Sequence, residues 1–501
     1  MKQIIERVQQ TKVYELLSLT PLEAAPKLSA QLNNTITIKR EDLQPVFSFK
    51  CRGAYNKIAN LSPEQQQQGV ITASAGNHAQ GVALACQKLK LNATIVMPQT
   101  TPSIKVDKVR SYGANAVLVG DSYDDAHAHA MKLVSETGMT FIHPFDDDDV
   151  IAGQATIATE IMDQHDGMPD YIFVAVGGGG LIAGITAVIK TQYPQVKIIG
   201  VEPEDSNCLT QALAANERVV LDRVGIFADG VAVKQIGKRP FEIVNGQIDA
   251  MVCVSTDEIC AGFKDIFNET RSIVEPAGAL SIAGAKKYIS GHNLTDKKIV
   301  TINCGANTNF DRLRHIAERA EIGELKEALF AVTIPEEPGS FKTFCQLLGK
   351  ETVTEFNYRY ADSKNAHIFV GVGLQGGDAQ QRAIFDRLSA HFDVIDLTDN
   401  ELAKLHVRHM VGGKTEMITD ERLLRFQFPE RPGALLEFLN SLGQNWNISL
   451  FHYRNHGAAY GRVLAGLQVP EQDLKKLIVA LDKLGYWYQD ETDNPAFNLF
   501  L

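Results

Sequence analysis

The segment YIFVAVGGGGLIAGI, residues 171–185, is the strongest indication of the fold class. An uncharged, β-branched run leads into four glycines, and an apolar segment with helical spacing follows them, a pattern typical of a strand, a tight turn and a helix. Shorter apolar runs alternate with helical patterns between residues 35 and 320, at 93–97, 116–119, 197–201 and 298–302. This alternation predicts an α/β core built on largely parallel, twisted sheets. The glycines also argue against a membrane helix at 171–189.

Composition restricts the classes of protein that remain. The chain has 501 residues, which predicts two to four domains, and its formal net charge of −11 argues against binding to nucleic acid or to an anionic membrane. Its seven cysteines are widely spaced without a CxxC pair, as in proteins of a reducing compartment. The first residues mix both charge signs with no apolar run behind them, so no secretory signal is expected. We therefore expect a cytoplasmic protein.

The part of the chain after about residue 322 contains an internal repeat. PEEPGS at 335–340 recurs as PERPGA at 429–434, FNYR at 356–359 as FHYR at 451–454, and GLQ at 373–375 as GLQ at 466–468. Each copy has the pattern of a ferredoxin-like βαββαβ module, and an accidental pairing of two unrelated α+β hairpins is the alternative. The predicted domains are residues 1–322, with a small subdomain at about 45–150 inserted, and two modules at 323–415 and 416–501.

Four consecutive glycines form a candidate anion site: Gly177, Gly178, Gly179 and Gly180. Backbone N–H groups and the positive end of the following helix converge there, which favours a phosphate, whereas a purely structural turn is the alternative. A second functional interpretation is the loose dinucleotide pattern Gly178-x-Gly180-x-x-Ala183, with Glu202 at the end of the next strand as ribose ligand. A P-loop is excluded because no Lys-Ser or Lys-Thr follows the glycines.

Two other segments carry candidate groups. Lys50 lies between apolar and small residues in SFKCRGA, residues 48–54, at the start of a predicted helix. Partial desolvation there lowers the pKa of an amine and makes it a Schiff-base nucleophile, although an ordinary surface lysine is the alternative. In TASAGNHAQG, residues 72–81, a strand runs into a polar turn at the start of a helix. That turn suits a carboxylate, or it is simply a well-capped helix start.

No metal site is predicted. His78 and His143 lack the spacing of HExxH or of other paired ligands, and both are expected to be structural. The carboxylate run at 146–149 is interpreted as a solvated loop with a helix N-cap.

In combination, Lys50 in its Ser-Phe-Lys-x-Arg-Gly-Ala setting, the SAGNH turn at 74–78 and the tetraglycine loop resemble the β-elimination class of pyridoxal 5'-phosphate (PLP) enzymes, the tryptophan-synthase-like fold type II. With the duplicated tail, the whole chain resembles the biosynthetic threonine dehydratases. The resemblance implies a two-subdomain catalytic core, two C-terminal ACT-like regulatory modules and a homotetramer. It also implies a lyase that converts L-threonine to 2-oxobutanoate and ammonia, the first committed step of isoleucine biosynthesis.

The same resemblance implies roles for the site residues. Lys50 holds PLP and takes the Cα proton of the substrate, and Asn77 contacts the 3′ oxygen of the ring. Gly177 to Gly180, with Leu181, bind the phosphate. The substrate carboxylate is bound by the turn of Ser74, Ala75, Gly76, Asn77 and His78. Cys304, in NCGAN at 303–307, lies beside the pyridine nitrogen, where many threonine dehydratases have serine and some serine dehydratases have cysteine.

A neutral residue beside the ring nitrogen favours elimination over transamination, and Cys304 leaves the preference between threonine and serine open. For the tail, the resemblance implies inhibition by isoleucine and activation by valine. Tyr358 and Tyr453 occupy equivalent places in the two copies, either as effector contacts or as core residues of each sheet. A serine-preferring dehydratase, a catalytically silent amino-acid sensor and a nicotinamide dehydrogenase are the alternative functions.

Overall fold

The computed structural model describes residues 1–335, 340–349, 351–360, 365–409, 420–429, 434, 437–438, 441, 446–454 and 460–501. The chain folds as two compact units, Met1–Phe310 and Asp311–Leu501. Among the described residues, no helix has the length and apolar character needed to cross a membrane.

The first unit contains both helices and strands. Its helices are α1 (Lys2–Gln9), α2 (Pro26–Leu32), α3 (Lys50–Ala59), α4 (Pro63–Gln68), α5 (Asn77–Leu89), α6 (Ser103–Ser111), α7 (Tyr123–Thr137), α8 (Asp148–Gln164), α9 (Gly180–Gln192), α10 (Cys208–Ala215), α11 (Lys238–Val244), α12 (Thr256–Thr270) and α13 (Pro276–His292). Its strands are β1 (Leu22–Ala24), β2 (Thr35–Arg40), β3 (Val70–Ala73), β4 (Ala93–Met97), β5 (Asn115–Leu118), β6 (Thr140–Phe141), β7 (Tyr171–Ala175), β8 (Lys197–Pro203), β9 (Ala250–Val254) and β10 (Lys298–Asn303).

These strands form two sheets. The larger has the order β1-β2-β10-β7-β8-β9, and all its neighbours are parallel except β1 and β2. The smaller has the order β5-β4-β3-β6 and is parallel throughout. Strands β3, β4 and β7 are buried along their whole length, as expected for parallel strands with helices on both faces. The predicted α/β core with parallel-rich sheets is confirmed.

Three of the candidate segments follow directly after parallel strands. The chain leaves β3 into Ser74, β7 into the loop that starts at Gly177, and β10 into Cys304. Ligands of open α/β sheets bind beyond the carboxyl ends of the strands, so the topology itself favours this edge as the site.

A buried ion network fixes helix α3 at its start. The Arg52 guanidinium has no exposed surface and donates to both oxygens of Glu41, each at 2.7 Å, and to both oxygens of Glu160, at 2.6 and 3.0 Å. Lys39 also pairs with Glu160, at 2.6 Å. Two cations and two carboxylates therefore balance inside the core, which is the condition under which buried charges are tolerated. Arg52 lies two residues after Lys50, so the network holds the turn that carries the lysine.

The second unit contains two similar halves. The first half has α14 (Arg312–Gly323), β11 (Glu327–Pro335), α15 (Ser340–Leu348), β12 (Thr352–Tyr360), β13 (Asn365–Gly373), α16 (Gly377–Ser389), β14 (Asp393–Asp396) and α17 (Glu401–Leu405). The second has β15 (Glu421–Pro429), β16 (Asn447–Arg454), β17 (Tyr460–Gln468), α18 (Leu474–Leu484), β18 (Trp487–Asp490) and α19 (Pro495–Phe500). Their antiparallel sheets have matching orders, β12-β13-β11-β14 and β16-β17-β15-β18. The predicted duplication of small α+β modules is thus reproduced by the topology.

Equivalent residues of the two halves meet. Asn400 caps α17 by accepting from Ala403 N at 2.9 Å, and Asn494 caps α19 by accepting from Ala496 N at 2.9 Å. The Asn400 amide donates to the Asn494 side chain at 3.2 Å. One apolar cluster contains buried side chains from both halves, among them Leu329 of β11 and Leu423 of β15. The two modules therefore share part of their core.

Candidate active site

The lysine segment is tied to the segment that carries Cys304. Ser48 forms an antiparallel bridge with Gly305, and the Phe49 N–H donates to the Cys304 carbonyl at 3.2 Å. Helix α3 begins at Lys50, whose amine donates to the Pro144 carbonyl at 3.3 Å and lies 5.3 Å from the centre of the Phe49 ring. The sequence prediction of a lysine at a helix start is therefore confirmed in its geometry.

Burial changes the acidity of this amine. Desolvation lowers the pKa of Lys50 from 10.5 to about 8, and the negative charges that Cys304 and Glu275 can carry oppose that change. Desolvation dominates because no carboxylate of the described residues forms an ion pair with the amine. A lysine with such a pKa is neutral often enough near neutral pH to act as nucleophile and proton acceptor.

Asn77, at the start of α5, has both ends of its amide fixed. Its Nδ2 donates to Glu275 Oε1 at 2.6 Å, and its Oδ1 accepts from Asn307 Nδ2 at 2.8 Å. Glu275 is buried, and a Cβ on Gly305 would overlap its carboxylate. The sequence analysis gave no role to Glu275 or Asn307. Glu275 does leave a signal in the sequence, since it is a lone carboxylate between Ile273-Val274 and Pro276-Ala277.

The turn between β3 and α5 faces open space. The Gly76 N–H donates to Ser74 Oγ at 3.3 Å, and a Cβ on Gly76 would meet nothing within 4 Å. The first N–H groups of α5 have no acceptor inside the helix, so a carboxylate fits this end. His78, in contrast, is buried and bonds through Nε2 to the Ile142 carbonyl at 3.0 Å. Burial lowers the pKa of His78 to about 3, which keeps the ring neutral.

The glycine loop packs against Phe145, in the turn that also contacts Lys50. Gly179 has φ +91°, in the left-handed region that favours glycine, and α9 begins at Gly180. A Cβ on Gly178 would overlap the Phe145 ring, and one on Gly180 would lie 3.0 Å from Phe145 Cβ. Phe145 follows Pro144, whose carbonyl accepts from Lys50, so the loop and the amine are joined through one turn.

The N–H groups at the start of α9 suit a phosphate. Ala183 N donates to Gly179 O at 2.9 Å, and the N–H groups before it, including that of Leu181, precede the first intrahelical bond. Because the helix dipole is positive at this end, an anion is favoured there. A desolvated amine, a fixed amide and this loop together provide what PLP requires.

Cys304 is buried, and its side chain is a neutral thiol. Its Sγ donates to the Ala277 carbonyl at 3.3 Å. Burial first, and the charge of Glu275 next, raise the pKa of Cys304 well above its ordinary value. A thiol in this setting remains protonated, as a neutral partner for a ring nitrogen must.

The hydrogen bonds of Glu202 contradict the dinucleotide-binding interpretation. Its carboxylate is buried and accepts from Leu209 N at 2.8 Å, from Thr210 N at 2.9 Å and from Thr210 Oγ1 at 2.7 Å. Burial raises the pKa of Glu202 to about 7. The side chain is therefore committed to the start of α10, and no oxygen remains for a ribose.

The acidic run was only partly interpreted correctly. Asp147 is the N-cap of α8 as predicted, accepting from Asp149 N and Val150 N. The neighbouring carboxylates are not simply solvated, because Asp148 pairs with Arg239 at 2.7 Å and Asp149 with Lys57 at 3.2 Å. In the described part of the chain, no group of three or more His, Cys, Asp or Glu side chains is arranged to hold a metal.

Tyr358 and Tyr453 lie on the equivalent strands β12 and β16. Their side chains lie outside the described residues, so the predicted effector contacts stay predictions.

The two parallel-rich sheets, together with the lysine, the amide and the glycine loop, define a PLP-dependent enzyme of fold type II. Residues 13–305 match the family model of pyridoxal-phosphate dependent enzymes, and residues 318–407 and 413–501 match the C-terminal regulatory domain of threonine dehydratase. The chain is 53% identical to the biosynthetic L-threonine dehydratase of Burkholderia multivorans, over 99% of each chain. It is also 53% identical to that of Escherichia coli K12, over 99% of this chain and 96% of the relative.

A solved structure supports the same assignment. The processed form of threonine deaminase isoform 2 from Solanum lycopersicum superposes with a TM-score of 0.63 at 48% identity, covering 64% of this chain and 88% of that one. The chain belongs to the biosynthetic threonine dehydratase family, and it is a PLP-dependent threonine dehydratase with a C-terminal regulatory region.

Proposed function

We propose that the enzyme converts L-threonine to 2-oxobutanoate and ammonia as the first committed step of isoleucine biosynthesis, with feedback inhibition by isoleucine. The observation that carries the catalytic part is the desolvated Lys50 amine, which donates to the Pro144 carbonyl in the turn whose Phe145 ring packs against the glycine loop. Reduced thiols at Cys51, Cys86, Cys208, Cys253 and Cys304 fit the cytoplasm as the compartment.

The contacts described above support an assignment of the residues that would hold the cofactor. Lys50 would bind PLP covalently, Asn77 would contact the 3′ oxygen, and Gly177 to Gly180 with Leu181 would bind the phosphate. Cys304 would be the neighbour of the pyridine nitrogen. When bound, PLP supplies the electron sink that makes the Cα proton of an amino acid removable.

The protein's own groups then do the proton chemistry. Lys50 accepts the Cα proton, because an amine with a pKa of about 8 is a competent base near neutral pH. The open turn at Ser74 and Gly76 holds the substrate carboxylate and so orients the Cα–H bond toward the lysine. Glu275 keeps the Asn77 amide from rotating. The β-hydroxyl leaves as water, and hydrolysis of the resulting imine consumes one water and gives 2-oxobutanoate and ammonia.

A neutral Cys304 favours this outcome. A thiol that stays protonated cannot hold a ring nitrogen in its cationic form, so elimination competes well against transamination. The same residue supports a serine-preferring dehydratase as a second candidate. The ratio of kcat/KM for threonine and serine decides between them: a ratio above one supports the proposal, and a ratio well below one assigns serine.

The regulatory part of the proposal rests on the duplicated modules. We infer that isoleucine inhibits and valine activates through them, that Tyr358 and Tyr453 contact these effectors, and that the enzyme is a homotetramer. Coupling between two ligand sites is reciprocal in binding free energy, so saturation of the catalytic site with a threonine analogue should weaken isoleucine binding. Calorimetric titration with isoleucine, with and without the analogue, measures this directly, and an unchanged isoleucine affinity contradicts the proposal.

The central experiment compares the wild type with Lys50→Ala. The visible absorbance of bound PLP and the 2-oxoacid formed from threonine are measured together, with and without isoleucine. Wild-type protein should be yellow and produce 2-oxobutanoate in an isoleucine-sensitive manner, whereas the variant should lose the absorbance band and the activity. A colourless wild type that cannot be reconstituted with PLP would refute the assignment of Lys50 and favour the silent sensor.

A further inference from the structure

The turn from His143 to Asp146 connects separate parts of the active site. Its Pro144 carbonyl accepts from the Lys50 amine at 3.3 Å. The next residue, Phe145, places its ring against the glycine loop, where a Cβ on Gly178 would overlap the ring. One short turn therefore touches both the group that reacts and the loop proposed to hold the phosphate.

The turn is fixed internally by a histidine that acts as an acceptor. His143 Nδ1 accepts from the N–H of Asp146 at 2.8 Å and from that of Phe145 at 3.3 Å. The rings of His143 and Phe145 pack edge to face, with centroids 4.7 Å apart. Burial lowers the pKa of His143 to about 4, so this acceptor is retained throughout the neutral range.

The same turn holds the loop from a second side. Asp146 accepts from Lys238 N at 3.0 Å and Arg239 N at 2.7 Å, at the start of α11. The residue before that helix, Gly237, donates its N–H to the Gly178 carbonyl at 3.1 Å. Gly178 is thus enclosed between the Phe145 ring and the start of α11, with no room for a side chain of its own.

We propose that Phe145 is a positioning residue for the phosphate of PLP, acting through the glycine loop. The ring fills the space beside Gly178 and Gly180 and so fixes the path on which their N–H groups converge. The role rests on the proposed assignment of this loop to the phosphate, and the test below separates the two.

The experiment is a double-mutant cycle on the affinity of the apoenzyme for PLP. Phe145→Ala should raise the dissociation constant about tenfold and move the ³¹P resonance of bound PLP, while the KM for threonine at saturating PLP stays close to that of the wild type. Gly178→Ala should weaken PLP binding because its methyl group overlaps the ring. In the double variant the methyl occupies space vacated by the ring, so the combined loss should be smaller than the product of the two single losses.

Controls distinguish the possible failures. Phe267→Ala removes a ring of equal size from α12, where the ring lies against Arg271, and should leave PLP affinity within about twofold. Phe145→Leu replaces Phe145→Ala if the latter does not fold. If Gly178→Ala weakens binding but Phe145→Ala and Phe145→Leu do not, or if the losses multiply, Phe145 has no positioning role. If none of the variants changes PLP affinity, the assignment of the loop to the phosphate fails as well.

Discussion

Deprotonation of Lys50 in the apoenzyme is expected to have a midpoint near pH 8, far below the 10.5 of an ordinary lysine. The cause is burial, which removes the water that stabilises the ammonium form without giving it an ion pair. Only the neutral amine attacks a carbonyl group, so the pKa sets the fraction of enzyme that reacts with its cofactor at a given pH.

The structure gives the size of the effect. With a pKa of about 8, roughly one Lys50 amine in ten is neutral at pH 7, against about one in three thousand at the ordinary value of 10.5. The gain in reactive amine is therefore on the order of 300-fold. The free energy of unfolding should also depend on pH, between the pKa of Lys50 in the folded chain and its ordinary value. Because the unfolded chain binds more protons between pH 8 and 10.5, the contribution of Lys50 to stability rises with pH across that window, by about 3 kcal/mol.

Competitive labelling tests this without the cofactor. The apoenzyme is treated with trace acetic anhydride at a series of pH values, and the acetylated peptides are quantified by mass spectrometry. Lys57, on the same helix, is the internal control: its ion pairs with Asp147 and Asp149 outweigh burial and raise its pKa. Lys50 should be labelled half-maximally near pH 8, well below Lys57. A Lys50 midpoint above pH 10, or one equal to that of Lys57, would refute the reasoning.

Three further variants test neighbouring groups. Arg52→Met leaves two buried carboxylates without their cation and should lower the free energy of unfolding in urea by about 3–5 kcal/mol. Adding Glu41→Gln should recover part of this loss. A loss below about 1 kcal/mol contradicts the role of the network. Glu275→Gln removes a negative charge that favours the ammonium form, so the labelling midpoint of Lys50 should fall below that of the wild type. An unchanged midpoint would show that the carboxylate acts only through Asn77. Cys304→Ser keeps a neutral partner and should retain elimination, with any change confined to the threonine-to-serine ratio of kcat/KM; a switch to transamination would show that the thiol is not interchangeable.

Local patterns in the sequence were sufficient to predict the strands, the turn and the helix that carry the site. The apolar runs at 93–97 and 298–302 are β4 and β10, and the tetraglycine loop joins β7 to α9 as predicted. These signals succeed because strand, turn and helix preferences are short-range. A capping box of Ser62 with Gln65 likewise marks the start of α4, the helix that contains the glutamines of residues 65–68.

The contacts that complete the site are long-range, and no local pattern reveals them. Glu275 meets Asn77 across 198 residues of sequence, and Asn307 meets it across 230. Phe145 belongs to a segment whose histidine and aspartates looked structural or solvated, yet its ring lies on the glycine loop. Only the folded arrangement of the two sheets brings such residues together.

Glu202 shows why a motif that matches in spacing can fail in chemistry. The strand, the glycines and the acidic residue at the end of β8 all occur where a dinucleotide fold would have them. What the spacing does not contain is the direction of the carboxylate, which accepts three hydrogen bonds from Leu209 and Thr210 at the start of α10. A buried carboxylate with its oxygens already satisfied gains nothing from a ribose hydroxyl and would lose protein bonds to make room for one. The Lys50 amine is in the opposite situation, since it is desolvated, has one carbonyl partner and lies next to an open turn. The same physical criterion, whether a buried polar group is already satisfied, thus rejects one sequence hypothesis and supports the other.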